Sequence, residues 1–233
     1  MMKFQIIRVV AILSLIFAGI SLTSCGVSTA EQQTNTKIQK PLSDSQIVSK
    51  TSKIIAFGDS LTAGFGLAEK ESYPYLLQQR LKTEGYNYEV INAGVSGETS
   101  LGGLERIDWV LEMENVEILI LELGANDLLR GLPVTKMKEN LSSIIKKAKA
   151  KNVQILLCGM LAPPNMGAKY QREYVSVFPD LASEHRTAFL PFILEGIALD
   201  LKLNQGDGIH PNAAGAKVMT ETVYNSLRPL LKK

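Results

Sequence analysis

From Lys53 onward, short apolar runs alternate with longer amphipathic ones, and this alternation constrains the fold more than any other feature of the chain. The apolar runs are "KIIAF" (53–57), "YEVINAG" (88–94), "VEILILELG" (116–124), "NVQILLCGM" (152–160) and "AFLPFI" (188–193). The middle ones are nearly continuous in Ile, Leu and Val, the composition of strands covered on both faces rather than on one. Between them, 72–83, 101–113, 136–149 and 170–185 carry helical periodicity. A last helix is predicted from Asn212 to about Leu227, behind Pro211. Strands that alternate with helices in this way predict an α/β fold: a three-layer α/β/α sandwich around a mostly parallel sheet of about five strands.

The first 50 of the 233 residues do not share this pattern. Lys3 and Arg8 precede an uncharged apolar run, Val9–Leu22, and small polar residues with Cys25 follow. The order predicts a secretory leader over residues 1–24, with a retained membrane anchor as the alternative. The stretch "LTSC" resembles the bacterial lipoprotein box. That resemblance implies lipid on the Cys25 thiol, export, and a place in the periplasm or outer membrane. Residues 25–50, polar and without sustained periodicity, are predicted to be a tether, leaving 51–233 as one domain. Removing Lys3 and Arg8 takes the formal net charge from +2 to zero. The one basic cluster, Lys146, Lys147, Lys149 and Lys151, is expected to be a solvated helix end, so no nucleic-acid partner is predicted. Cys25 and Cys158 are the only cysteines and have no metal-site spacing with His185 or His210; Cys158 is expected to be a buried thiol, and no structural metal or cofactor is predicted.

In a parallel sheet, ligands bind beyond the carboxyl ends of the strands. "GDS" follows the first strand, "NAGVSGE" the second and "LGANDLLRG" the third, so three polar segments converge on one rim. The first lacks both glycine-rich phosphate-binding patterns, and its first polar side chain is the anionic Asp59, which disfavours a nucleotide. Acyl-transfer chemistry needs a nucleophile, a base, a group that orients the base and donors for an oxyanion. Ser60 supplies a hydroxyl at the strand exit. The chain has two histidines: His185 closes a polar helix and is expected to be exposed there, whereas His210 lies in "GDGIHPN", three residues after Asp207. A turn at that spacing can hold a carboxylate against the imidazole. An exposed turn capping the last helix fits these residues equally well. The segment around Ser60 does not have the G-x-S-x-G form of a nucleophile elbow.

Four blocks, "FGDSLTAGFG", "NAGVSGETS", "LELGANDLLRG" and "DGIHPN", occur in the order found in the SGNH or GDSL hydrolase family, and the chain resembles its small bacterial arylesterase, thioesterase and lysophospholipase branch from about Lys53 to Leu227. The resemblance implies hydrolysis without a cofactor or metal, with Ser60 as nucleophile, His210 as general base and Asp207 orienting it. It also implies an oxyanion hole made of the backbone N–H groups of Ser60 and Gly94 and the side-chain amide of Asn126. Asp59 and Asp127 are expected to support their own turns, and Glu69 and Glu98 to be solvated. Leu128 and Leu129 are candidate walls for an acyl chain. The implied substrate is a small acyl or aryl ester, thioester or lysophospholipid. A carbohydrate acetylesterase and a non-catalytic envelope binding lipoprotein are the alternatives.

Overall fold

A computed structural model describes residues 51–163 and 166–233. The leader, the tether and Cys25 lie outside the described residues. Five strands form one parallel sheet: β1 (Ser52–Gly58), β2 (Tyr88–Gly94), β3 (Val116–Glu122), β4 (Gln154–Cys158) and β5 (Ala188–Leu190). Their order is β2-β1-β3-β4-β5. The chain therefore steps from β1 to one neighbour and then crosses to the other, and the order reverses at β1 and β3. That reversal opens a crevice at the carboxyl ends of these two strands.

The strands form where burial on both faces removes any need for polar alternation. Ile54, Ile55, Ala56 and Phe57 of β1, and Ile118 to Leu121 of β3, are fully buried. Each large apolar side chain so enclosed contributes about 1.5–3 kcal/mol relative to exposure, which makes the two central strands the rigid floor of the crevice. The helices are α1 (Ser60–Ala63), α2 (Tyr73–Thr83), α3 (Ser100–Val110), α4 (Ala125–Leu129), α5 (Val134–Ala150), α6 (Ala168–His185) and α7 (Ala213–Leu227). α3 packs on α5 and α5 on α6, whereas α2 packs on α7, giving a helical layer on each face of the sheet. Tyr73, Leu77, Tyr174 and Phe178 are among the large side chains sealed in the core, and Cys158 is a buried thiol whose pKa is raised by burial.

Three strands are shorter than their apolar runs, β3 ending at Glu122, two residues before its run does. Asn152 adopts φ 60°, turning the chain out of α5, so β4 begins only at Gln154. β5 ends at Leu190 because the next residue, Pro191, has no N–H for a ladder. α1 and α4 were not expected as helices at all. With four and five residues they are too short for a periodicity window, and both lie within the polar blocks. In the basic cluster at the end of α5, Lys146, Lys149 and Lys151 are exposed, as expected of a solvated helix end, and three of its lysines reach local partners. Lys147 pairs with Asp108, Lys149 donates to the His185 carbonyl, and Lys151 donates to the Leu111 carbonyl. Among the described residues, no helix is long and apolar enough to cross a membrane.

Candidate active site

The site begins at the last residue of β1. Gly58 is in register with Gly94 of β2 and with Glu122 of β3, so the three polar blocks leave the sheet side by side. A Cβ on Gly58 would lie 2.2 Å from Thr62 Oγ1 and 2.3 Å from Glu122 Oε2; one on Gly94 would lie 2.2 Å from the backbone nitrogen of Ala63. Separations below 3.0 Å force the neighbour to shift, and backbone stands in the way at both positions: Ala63 at Gly94, and the Glu122 carbonyl oxygen, 2.5 Å away, at Gly58. Only glycine at these two positions lets the turn after β1 fold back over the strand ends.

The carboxylate of Asp59 starts α1: its Oδ1 accepts the Leu61 N–H at 3.0 Å, satisfying a donor that a helix start otherwise leaves unpaired. Ser60 is thereby held as the first residue of the helix. Its hydroxyl lies 2.9 Å from Nε2 of His210, and Nδ1 of His210 lies 2.6 Å from Oδ2 of Asp207. The other carboxylate oxygen of Asp207 accepts the N–H groups of Ile209 and His210, both at 3.0 Å. These bonds to His210 and Ile209 hold the Asp207 carboxyl at a pKa of about 2. An ionised Asp207 can only accept, so Nδ1 carries the imidazole proton and Nε2 presents its lone pair to the serine. The remainder of the last block is braced by Asn212, whose side chain caps α7 at Ala214 and Gly215, and by the Asn204–Pro211 bridge.

The expected oxyanion donors reach the same rim, but two of them are already engaged. One amide hydrogen of Asn126 goes to Asp59 Oδ2 at 2.8 Å, which leaves its other N–H available and fixes the plane of the amide. The Gly94 N–H donates to the side chain of Asn92 at 3.0 Å. Asp127 is buried and accepts from both the N–H and the hydroxyl of Ser100, tying the third block to the start of α3. Arg130 reaches across to the Gly97 carbonyl at 2.6 Å, a second link between these blocks.

Three expectations are corrected. Leu128 is only 5 % exposed and packs into the hydrophobic core, because the turn of α4 directs it inward, which leaves it almost no surface to offer an acyl chain. Its neighbour Leu129 is 62 % exposed at the rim. Glu98 is not solvated: its side chain is 7 % exposed and makes a two-pronged pair with Arg106, Nε to Oε1 at 2.6 Å and Nη2 to Oε2 at 2.5 Å. Arg106 also donates to the Ala93 carbonyl and lies over the Phe57 ring, so the pair clamps the exit of β2. The His185 side chain is 9 % exposed, bonded to the hydroxyl of Ser142 on α5, and its pKa is lowered by burial. It is a packing histidine and takes no part in the rim.

One participant was missed. Glu122, the last residue of β3, is completely buried; its Oε2 accepts the Thr62 hydroxyl at 2.7 Å and the Asp59 N–H at 3.1 Å. The signal was present as an acid at the carboxyl end of β3, directly after the wholly apolar run Ile118–Leu121. Burial pushes the pKa of the Glu122 carboxyl well up, and the neighbouring Asp59 charge adds to the effect. Asp59 is raised to about 6, again chiefly by burial, against the lowering influence of Leu61, Asn126, His210 and Ser60. An acid whose pKa is higher in the folded than in the unfolded state takes up protons on folding, so stability falls as pH rises between the two values. For Asp59 the window runs from 3.8 to about 6. Asp207 has the opposite sign: its contribution is present above 3.8 and is lost as pH falls through about 2. Urea denaturation between pH 4 and 7 is therefore expected to show wild-type stability declining more steeply than that of Asp59→Asn. Parallel profiles would contradict the assignment.

The GDSL-like lipase/acylhydrolase family model matches residues 56–218. The chain is 40 % identical over 178 residues to the esterase TesA of Pseudomonas aeruginosa, covering 76 % of this chain and 89 % of that protein. The crystal structure of TesA superposes with a TM-score of 0.75, over 77 % of this chain and all of that one. Thioesterase 1/protease 1/lysophospholipase L1 of Escherichia coli is 33 % identical over 178 residues, which is 76 % of this chain and 84 % of that protein. The psychrotrophic esterase EstA from Pseudoalteromonas sp., in a structure inhibited by monoethylphosphonate, is 36 % identical with a TM-score of 0.73, over 76 % of this chain and 97 % of that one. With four sequence blocks meeting at one strand-end crevice and these similarities spanning the whole sheet, the chain belongs to the GDSL-like lipase/acylhydrolase family.

Proposed function

We propose that this serine ester hydrolase attacks carboxylic esters with Ser60, using His210 as general base and Asp207 to hold the base in its reactive tautomer. The observation that carries the assignment is the continuous chain from Ser60 Oγ to His210 Nε2 at 2.9 Å and from His210 Nδ1 to Asp207 Oδ2 at 2.6 Å. As Ser60 Oγ bonds to the acyl carbon, its proton passes to Nε2 and the carbonyl oxygen becomes negative. The Ser60 and Gly94 N–H groups and the second N–H of Asn126 are the assigned donors to that oxygen. For Gly94 this requires exchanging its bond to Asn92 for one to the oxyanion. Imidazolium then protonates the leaving oxygen or sulfur as the acyl bond to it breaks, and a water activated by the freed base releases the acid. One preorganised oxyanion donor is worth about 3 kcal/mol in such sites.

Substrates are small acyl or aryl esters, with acyl thioesters and lysophospholipids as further candidates in line with the names of the relatives. The exposed Leu129 is the remaining candidate for an acyl-chain contact. The assembled Ser60–His210–Asp207 chain favours turnover over a binding-only role. A phosphonate ester reagent is expected to transfer its phosphonyl group to the peptide containing Ser60, releasing its alcohol or phenol, and to abolish hydrolysis of p-nitrophenyl esters. Labelling at another serine, with activity lost, would reassign the nucleophile. Increasing acyl length in the same assay, beside acyl thioesters, lysophospholipids and acetylated sugars, then defines the substrate class.

The segment "LTSC" before a polar stretch supports export and lipid attachment at Cys25, with the enzyme held at the cell envelope. Processing is expected to be sensitive to globomycin and to leave a Cys25 peptide heavier by its acyl chains. A processed, unlipidated chain released from the envelope would sink the anchor.

A further inference from the structure

We propose that Phe65 forms the subsite for the leaving group and gives the enzyme a preference for aryl over alkyl esters. Phe65 lies just beyond α1, its N–H bonded to the Ser60 carbonyl at 3.0 Å. Its ring packs against the imidazole of His210, with centroids 4.7 Å apart and planes inclined by 39°. The residue is 51 % exposed, so Phe65 both contacts the imidazole and is open to solvent. Scattered exposed aromatics are ordinary; an exposed aromatic in contact with the proposed base is not accounted for by packing alone.

The backbone that carries the ring is also held in place. Gln205 Nε2 donates both to the Phe65 carbonyl at 2.7 Å and to the Pro211 carbonyl at 2.9 Å, stitching the segment after the nucleophile to the segment bearing the base. Gly66 has φ 72°, and a Cβ there would lie 2.2 Å from Gln205 Oε1. Phe65 is thus flanked by a bond back to Ser60 on one side and a glycine closed against Gln205 on the other.

The chemistry supplies the occupant. His210 must deliver its proton to the departing oxygen or sulfur, which places that atom within hydrogen-bond reach, roughly 3 Å, of Nε2. The carbonyl oxygen points instead toward the Gly94 and Asn126 side, and the acyl chain takes the remaining direction. Whatever is attached to the leaving atom therefore extends beside the imidazole, where the exposed part of Phe65 is available. A flat aromatic leaving group can stack or meet this ring edge to face, whereas a short alkyl group gains little. During deacylation the incoming group is water, which makes no such contact.

The inference rests on the assignment of Ser60 and His210 above. Its test holds the acyl group constant as acetyl and compares phenyl and 1-naphthyl acetate with ethyl acetate in wild type, Phe65→Ala and Phe65→Leu. The leucine variant keeps apolar volume at the site should the alanine variant fold poorly. The aryl-to-ethyl ratio of kcat/KM is expected to fall about tenfold in both variants, with a smaller change in the decay of the acetyl-enzyme. An unchanged ratio, or an equal fall for every ester and for deacylation, would overturn the subsite and leave Phe65 as a support for His210. Phosphonate labelling of Ser60 in the same preparations reads the underlying assignment separately. Label on Ser60 with an unaltered ratio rejects only the subsite, whereas a wild type that is not labelled there removes its premise.

Discussion

Ser60→Ala is expected to yield a folded protein whose kcat for p-nitrophenyl acetate is lower by on the order of 10⁶-fold, the cost of deleting a nucleophile whose partners act as a unit with it. The hydroxyl contacts His210 at 2.9 Å and Asp59 only at 3.5 Å, so its loss breaks no core packing. Stability should change by no more than about 0.5 kcal/mol, because α1 is started by Asp59 and not by the serine side chain. Stopped assays on concentrated protein, beside a urea titration, measure both quantities. Ser96, the exposed serine of the second rim block, lies in the loop after β2, and Ser96→Ala is the matched control. Retained turnover in Ser60→Ala, or a comparable collapse in Ser96→Ala, would place the nucleophile elsewhere.

Asp207→Asn is expected to lower kcat by about 10⁴-fold while the fold persists. Asp207 uses one oxygen for the two backbone N–H groups of Ile209 and His210 and the other for Nδ1 of His210. Asparagine has a single acceptor oxygen. If that oxygen serves the two backbone donors, the amide NH₂ faces Nδ1 and donates to it, forcing the imidazole proton onto Nε2. The lone pair that should receive the serine proton is then gone. The opposite flip sets an NH₂ against two N–H groups, which is worse. The loss should therefore appear in kcat, with KM little altered, and ¹⁵N chemical shifts of the His210 ring should report a proton moved to Nε2. A variant with near-normal kcat would mean that Asp207 only braces its turn.

Much of this arrangement was legible from the residues, for reasons that differ between parts. Strands such as Ile118–Leu121 read clearly because burial on both faces leaves nothing but apolar side chains, and α5 and α6 span enough turns to show a period. The rim could be located because parallel order sends every strand exit to one side. His210 emerged because a chain with two histidines offers few bases. The losses came where a residue's role depends on a partner distant in sequence. Glu98 looks solvated until Arg106, eight residues on, is folded against it. Glu122 belongs to the nucleophile turn only because β3 is in register with β1, and Leu128 turns inward only because α4 exists. His185 is removed from solvent by Ser142 of a neighbouring helix, which no local pattern records.

The bond between Ser60 and His210 joins residues 150 apart. Ser60, the proposed nucleophile, therefore leaves the ribosome, and on the proposed route would cross the membrane, long before His210, its proposed base. Until the segment after β5 has folded back and α7 has docked on α2, Ser60 is an ordinary alcohol with nothing to take its proton. Esterase activity is consequently a report on completed tertiary structure rather than on the first strand and its turn, and an incomplete chain carries no armed hydrolase through the cell.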